Sequence, residues 1–408
     1  MIGFLAFLRS NARWLAGGFL LTGFSTFGQT SFIALSSGEI RAEFELSHAG
    51  FGALYMVATL ATALVMPSLG ALVDRHPTRR LVVWIIPCLA IAASAIAVAD
   101  HLAVLLLGLL LLRLFGPGML AHVGYTASAR WFSAQRGRAL SFVILGHNAG
   151  DALFPVCFVA LAGAIGWRNG WLAIAALLVL VALPAILALV AVERAPRSSD
   201  PAPRAADAPD RTRGYALRDP VFHLVMLGVI APAFIVTTIF FHQVHLVELR
   251  GWSLTVFASS FGLAAIVNSG FAVVSGQLID RWSGVRLLPF VLLPLALACF
   301  VLGSVDAQWS VFAFMALLGV SNGLSTTLFG VVWPEIYGLK HLGAIRAVAL
   351  SASVVAAAAG PGATGLLIDL RFGLPPMILV MGAYCLAASA ALWAASAMVR
   401  RRTARVGL

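Results

Sequence analysis

Charge is what this sequence has least of. Asp, Glu, Lys and Arg make up 11% of its 408 residues, while 61% are hydrophobic. A water-soluble chain of this size carries roughly 25% charged residues. This chain cannot cover a water-facing surface, so its apolar area must meet lipid, and it reads as a polytopic membrane protein. Lysine is nearly missing, since 26 of the 27 basic residues are Arg. The net charge is +11, but the arginines sit in short clusters between long apolar runs. That is the pattern of membrane loops rather than of a basic groove, and it excludes nucleic acid as a partner. The four cysteines, Cys88, Cys157, Cys299 and Cys385, each lie inside an apolar run without a CxxC pair. They read as small packing residues, not as a disulfide framework or a zinc site. No nucleotide-binding loop, metal-ligand cluster or nucleophile constellation occurs, so the chain reads as a non-enzyme with no cofactor and no metal.

What the chain does have is apolar runs of about 20 residues without strict alternation. In lipid these are helices, because a helix satisfies its own backbone. Twelve spans are expected: 14–36, 49–72, 81–99, 102–128, 139–163, 170–192, 220–246, 254–277, 287–304, 308–333, 346–369 and 375–398. The first run follows Arg9 and Arg13 with no clear small-residue cleavage site, so it is read as a retained helix and not a signal peptide. The stretch 193–219 is dominated by Pro, Ala, Ser and charge. It reads as a flexible cytoplasmic linker between a six-helix half, 1–192, and a second, 220–408, that ends in a basic tail. With both ends on one side, that side holds 22 of the basic residues. The other holds four, Arg41, Arg168, Arg250 and Arg371, and Arg113 lies within a span. This asymmetry predicts cytoplasmic termini; a bacterial inner membrane and a working monomer are the accompanying expectations.

A charged turn is written twice. "GALVDRHPTRR" begins at Gly70, between spans 2 and 3. "GQLIDRWSGVR" begins at Gly276, between spans 8 and 9. The repeat period is therefore six spans, which makes the halves parallel repeats about an axis normal to the membrane. These residues resemble the major facilitator superfamily, whose signature turn runs Gly-x-x-x-Asp-Arg-x-Gly-Arg-[Arg/Lys]. The first copy offers Gly70, Asp74, Arg75, Arg79 and Arg80, with Pro77 where the family has Gly. The second offers Gly276, Asp280, Arg281, Gly284 and Arg286. The resemblance implies an all-α fold of twelve transmembrane helices and turns that act as a conformational gate. Glycine allows close helix approach there, and the Asp is placed to pair with Arg or cap a helix N-terminus. The turn after span 4 (Arg130, Trp131, Phe132, Arg136, Gly137, Arg138, Ala139) resembles bacterial relatives of the monocarboxylate and oxalate/formate carriers. "FHQVHLVELRGWS" and "GLKHLGAIRA" resemble the same branch. Span 8 departs from the eukaryotic-type carriers in having no Asp-Arg pair.

An ionisable group inside a span costs at least ~2.5 kcal/mol and needs a reason. Arg113 in span 4 and Asp151 in span 5 both fall about 16–18 Å along their helices, near the midplane of a ~30 Å core. These consecutive, antiparallel spans are expected to bring the two together, directly or through water. The pair reads either as an anion-binding Arg beside a proton-carrying Asp or as a permanent structural pair. His147 shares a helix face with Asp151. His122, nine residues after Arg113, is expected to face elsewhere. Gln29, Asn268 and Asn322 are costly to bury and are candidates for lining the cavity, along with the Ser and Thr residues of spans 1, 7 and 10. His242 and His245 could form an outer gate or serve as interfacial caps. Glu39, Arg41, Glu43 and Glu45 read as a solvated outer cap.

The resulting expectation is a secondary transporter moving a small organic solute, a carboxylate-type anion coupled to protons, by alternating access. Proton-driven drug efflux is the alternative, and a non-transporting sensor or scaffold is the alternative of another class. If the Asp-Arg turns control which face is open, replacing Asp74 slows the transport cycle and leaves substrate affinity in place. Binding and uptake assays separate the two effects, and a pure affinity loss would contradict the gating role.

Overall fold

The computed structural model describes residues 9–70, 72–132, 136–192, 194, 211–338 and 341–406. The fold is all-helical, with two compact units, Met1–Ala202 and Pro203–Leu408. Eleven described helices are long and apolar enough to cross a membrane, from His48–Met66 to Leu374–Arg402. The remaining expected span, 14–36, is a broken helix. It runs as Ala12–Phe24, a 3-10 turn Ser25–Gly28, Thr30–Ile33, a second 3-10 turn Ala34–Ser36 and a helix Ser37–Glu43. The break has a local cause. Ser25 donates back to the Thr22 carbonyl at 2.6 Å, and such back-bonding bends helices. Gln29 then leaves the helical region altogether, at φ −73° and ψ 151°.

In the first unit, span 5 packs on span 1 through two glycines one turn apart. A Cβ on Gly146 would run into the Phe19 carbonyl oxygen, and one on Gly150 into that of Gly23. Thr22 adds a hydrogen bond across the interface to the Val143 carbonyl at 2.7 Å. Small residues are the currency of helix contact in lipid, where apolar side chains gain little by leaving the bilayer. The second unit repeats the device. A Cβ on Gly360 of span 11 would meet the Phe234 carbonyl of span 7 at 3.0 Å, and Gly319 and Gly323 of span 10 press on the backbone of span 8 at Ala264 and Asn268.

Two of the four arginines on the sparsely charged side act as helix caps. Arg168 donates to the Ala97 and Ala99 carbonyls at the end of span 3, and also pairs with Glu43. Arg250 donates to the Gly303 and Val305 carbonyls at the end of span 9, with Asp306 3.4 Å away. The acceptors are equivalent, each 206 residues apart, the same offset as Gly70 and Gly276. Each guanidinium lies near a Trp ring, Trp167 or Trp252. The last four carbonyls of any helix lack intrahelical donors, and these arginines supply them. The expected cap is helical over Ser37–Glu43, with Glu39, Glu43 and Glu45 exposed and Glu43 tied to Arg168.

The stretch 193–219 is not extended throughout. Residues 195–210 lie outside the described residues, but Arg213–Arg218 is a helix, with the Thr212 side chain accepting from the Tyr215 amide. Asp219 follows. Its buried carboxylate accepts from the Val221 amide at the head of span 7, from both Arg402 nitrogens at 2.6 and 2.7 Å, and from the Tyr337 hydroxyl at 3.2 Å. One acid thus joins the start of span 7 to the ends of spans 10 and 12. Burial pushes the Asp219 carboxyl up, but Arg402, the Val221 amide and Tyr337 more than offset this and hold it below the ordinary carboxylate range.

Two outcomes follow from these contacts. Gly146→Ala lowers the thermal stability by about 1–3 kcal/mol through overpacking. Gly276→Ala, whose Cβ would meet nothing within 4 Å, leaves stability unchanged or raises it by up to ~1 kcal/mol. Equal melting of wild type and Gly146→Ala in detergent would contradict the close packing. For Asp219, a depressed folded-state pKa gives stabilisation that is present above the unfolded carboxyl value and lost as pH falls through the folded one. Asp219→Asn therefore flattens the stability profile on the acid side, and an unchanged profile in acid melts would rule this out.

Candidate functional site

The break in span 1 seats against an irregular stretch of span 4, where Leu114–Leu120 is π-helical around Pro117. Extra-wide turns of this kind mark functional positions in helices. The approach depends on two glycines. A Cβ on Gly28 would overlap the Leu112 carbonyl oxygen, and one on Gly116 would sit 2.9 Å from the Gly28 Cα. The carbonyl of Gly28, released by the break, is taken up by Arg113, whose Nη1 donates to it at 3.1 Å. The Arg113 guanidinium carbon lies 5.5 Å from the Tyr55 ring centroid. Tyr55 is fully buried, and its hydroxyl is hydrogen-bonded to Thr30 just beyond the break. Arg113 Nε is buried and has no hydrogen-bond partner among the described residues. No described carboxylate lies within ion-pairing distance of Arg113.

Asp151 is therefore not the direct counter-ion of Arg113, and the expected direct approach of the two is corrected. Its Oδ1 accepts from the Thr26 hydroxyl at 3.0 Å, and its Oδ2 lies 3.5 Å from His147 Nε2, one helical turn away. The side chains of His147 and Asp151 are 26% and 28% exposed, so both reach solvent-accessible space. The other imidazole nitrogen, Nδ1, is buried without a partner among the described residues. The reason for the separation is the turn itself. Thr26 holds the Asp151 carboxylate and Gly28 holds the Arg113 guanidinium, two residues apart on one 3-10 turn.

The other expected residues are placed as follows. His122 packs under Gly70, where a Cβ would come within 3.4 Å of its Nε2. Gln29 forms the extended link after the turn, its amide donating to the Thr26 carbonyl at 2.8 Å. Asn268 and Asn322 are half-buried on spans 8 and 10 of the second unit, where the Asn322 carbonyl accepts from Thr326. His242 is buried, with Nε2 donating to the Pro361 carbonyl at 3.1 Å, which ties the end of span 7 to span 11. His245 is half-buried on the helix Gln243–Arg250 that follows.

At the two charged turns, Arg75, Arg79, Arg281 and Arg286 are exposed, and the side chains of Asp74, Asp280, Arg136 and Arg138 lie outside the described residues. The two copies are braced by opposite chemistry. In the second, the Glu335 carboxylate from span 10 accepts from the Gly284 and Val285 amides, both at 3.0 Å. In the first, Arg130 from span 4 donates to the Val73 carbonyl at 3.0 Å. Gly28, Tyr55 and Glu335 were not singled out from sequence. The available signals were a glycine amid Ser, Thr and Gln within an apolar run, and an acid closing span 10.

Residues 18–361 match the family model of the Major Facilitator Superfamily. The chain belongs to this superfamily. Its fold is similar to that of a bacterial homologue of the human lysosomal transporter Spinster in an inward-facing, unoccupied conformation. That match has a TM-score of 0.66 and 18% identity over 95% of this chain and 96% of the other. It is also similar to the nucleoside transporter NupG in a mutant form, with a TM-score of 0.70 and 13% identity over 94% of this chain and 99% of the other. At such identities the likeness is one of fold. No curated protein matches the sequence. Within this superfamily member, the broken span 1 and the charges it holds form the candidate site of the first unit.

Proposed function

We propose that the chain is a secondary active transporter that moves a small organic anion, of carboxylate type, coupled to protons by alternating access. The observation that carries this reading is Arg113. A guanidinium at membrane depth is held by one carbonyl and an aromatic face, with a buried Nε that lacks a partner and no described acid within pairing distance. An uncompensated buried cation is costly, and an anionic substrate group would relieve that cost. Asp151 with His147 supplies a proton-exchanging pair within the same unit. Both groups pull on the Ser25–Gly28 turn, so an anion drawing Arg113 from the Gly28 carbonyl would be sensed at Thr26 and Asp151. The coupling runs through that backbone turn. The finer resemblance to the monocarboxylate and oxalate/formate branch agrees with an anion, and the charge bias agrees with cytoplasmic termini.

The test is uptake into proteoliposomes under an imposed pH gradient, with a panel of small carboxylates and lipophilic cations. Arg113→Ala is expected to reduce carboxylate uptake about ten- to a hundredfold, the loss of one or more charge-assisted hydrogen bonds. Asp151→Asn is expected to keep exchange of bound anion but abolish accumulation driven by the gradient. Unchanged carboxylate uptake in Arg113→Ala would overturn the anion reading. Cation export that needs Asp151 but not Arg113 would establish drug efflux in its place, and no transport of any solute would favour a sensor or scaffold.

A further inference from the structure

The arginines of the linker and the tail form a surface that the transport cycle proposed above does not use. Arg211, Arg213 and Arg218 come from the segment before span 7, and Arg400, Arg401 and Arg402 from the end of span 12; all are exposed. Between the two segments lies a cavity of about 440 Å³, lined by Thr212, Gly214, Tyr215, Arg218, Asp219 and Arg402, with Pro220. Asp219 takes both terminal nitrogens of Arg402, so that pair is internally neutral. Arg211, Arg213 and Arg218 have no acid within ion-pairing distance among the described residues. The segment is held in place, since the Arg211 amide donates to the Tyr337 carbonyl at 2.8 Å and its guanidinium lies 4.5 Å from the Tyr215 ring centroid.

We propose that this cavity binds the headgroup of an anionic phospholipid. The charge is complementary, and guanidinium matches phosphate in a planar, two-point fashion. Two features select a lipid over a free anion. The helix Arg213–Arg218 is separated from the head of span 7 by Asp219 alone, which fixes the cavity at the edge of the bilayer. The same helix leaves Tyr215 and Leu217 about two-fifths exposed beside the arginines, an apolar lip suited to the boundary between headgroups and acyl chains. Clusters of this density beside a membrane span attract anionic headgroups. A bound lipid would bridge the linker to the tail across the Asp219 node and steady the ends of spans 7, 10 and 12.

The experiment uses the full chain in detergent micelles titrated with phosphatidylglycerol, phosphatidylcholine or inorganic phosphate, with bound lipid counted by native mass spectrometry. Wild type is expected to retain phosphatidylglycerol in preference to phosphatidylcholine, with phosphate unable to displace it. Replacing both exposed residues, Arg213→Gln with Arg218→Gln, is expected to weaken phosphatidylglycerol binding roughly thirtyfold, from about one charge contribution each. The Lys pair, Arg213→Lys with Arg218→Lys, keeps the charge but loses the planar fork, and its binding is expected to fall between wild type and the Gln pair. Equal retention of the two lipids, or unchanged binding in the Gln pair, would overturn the proposal. Displacement by phosphate alone would reassign the cavity to a soluble anion and overturn it as well.

Discussion

Hydrocarbon offers no hydrogen bonds, so a helix broken within a bilayer must find every lost partner inside the protein. That constraint organises the first unit. The break at Ser25–Gly28 frees the Gly28 carbonyl, and Arg113 takes it. Arg113 could not come close if Gly28 and Gly116 carried side chains. The cost of a buried cation and the cost of a broken helix are thereby reduced together, each group serving as the other's partner. Neither is fully satisfied, because the Arg113 Nε remains without a bond. An incompletely satisfied polar group of this kind, in a protein otherwise short of charge, is where a ligand has most to offer.

The same constraint is met elsewhere by less adjustable means. Arg168 and Arg250 close the ends of spans 3 and 9 by donating to equivalent carbonyls, though they come from different loops. The two charged turns are braced by Glu335 on amides in one copy and by Arg130 on a carbonyl in the other. The brace is a base in one copy and an acid in the other. At the ends of spans 3 and 9 the halves share backbone positions more faithfully than residues.

Much of this was legible in sequence. The scarcity of charge and the length of the apolar runs marked the membrane helices, and the duplicated turn gave the repeat. The depths of Arg113 and Asp151 followed from rise per residue. Their pairing did not. Helix arithmetic assumes a regular span 1, and a turn that departs from the helix is invisible to a count of apolar residues. Similarly, the stretch 193–219 looked uniformly polar, yet Asp219 is the buried node of the second unit. Its environment is set by Arg402 and Tyr337, more than a hundred residues away.

The sequence by itself determined the class, the superfamily resemblance and which charges fall inside apolar spans. These depend on composition and on spacing along one helix, and both are properties of local stretches. Only the tertiary structure decided who partners whom. It gave Asp151 to Thr26, Arg113 to a backbone carbonyl, and His242 to Pro361. Partnership across helices depends on where a glycine lets two backbones meet and where a helix gives way, and such contacts join residues that no sequence window contains.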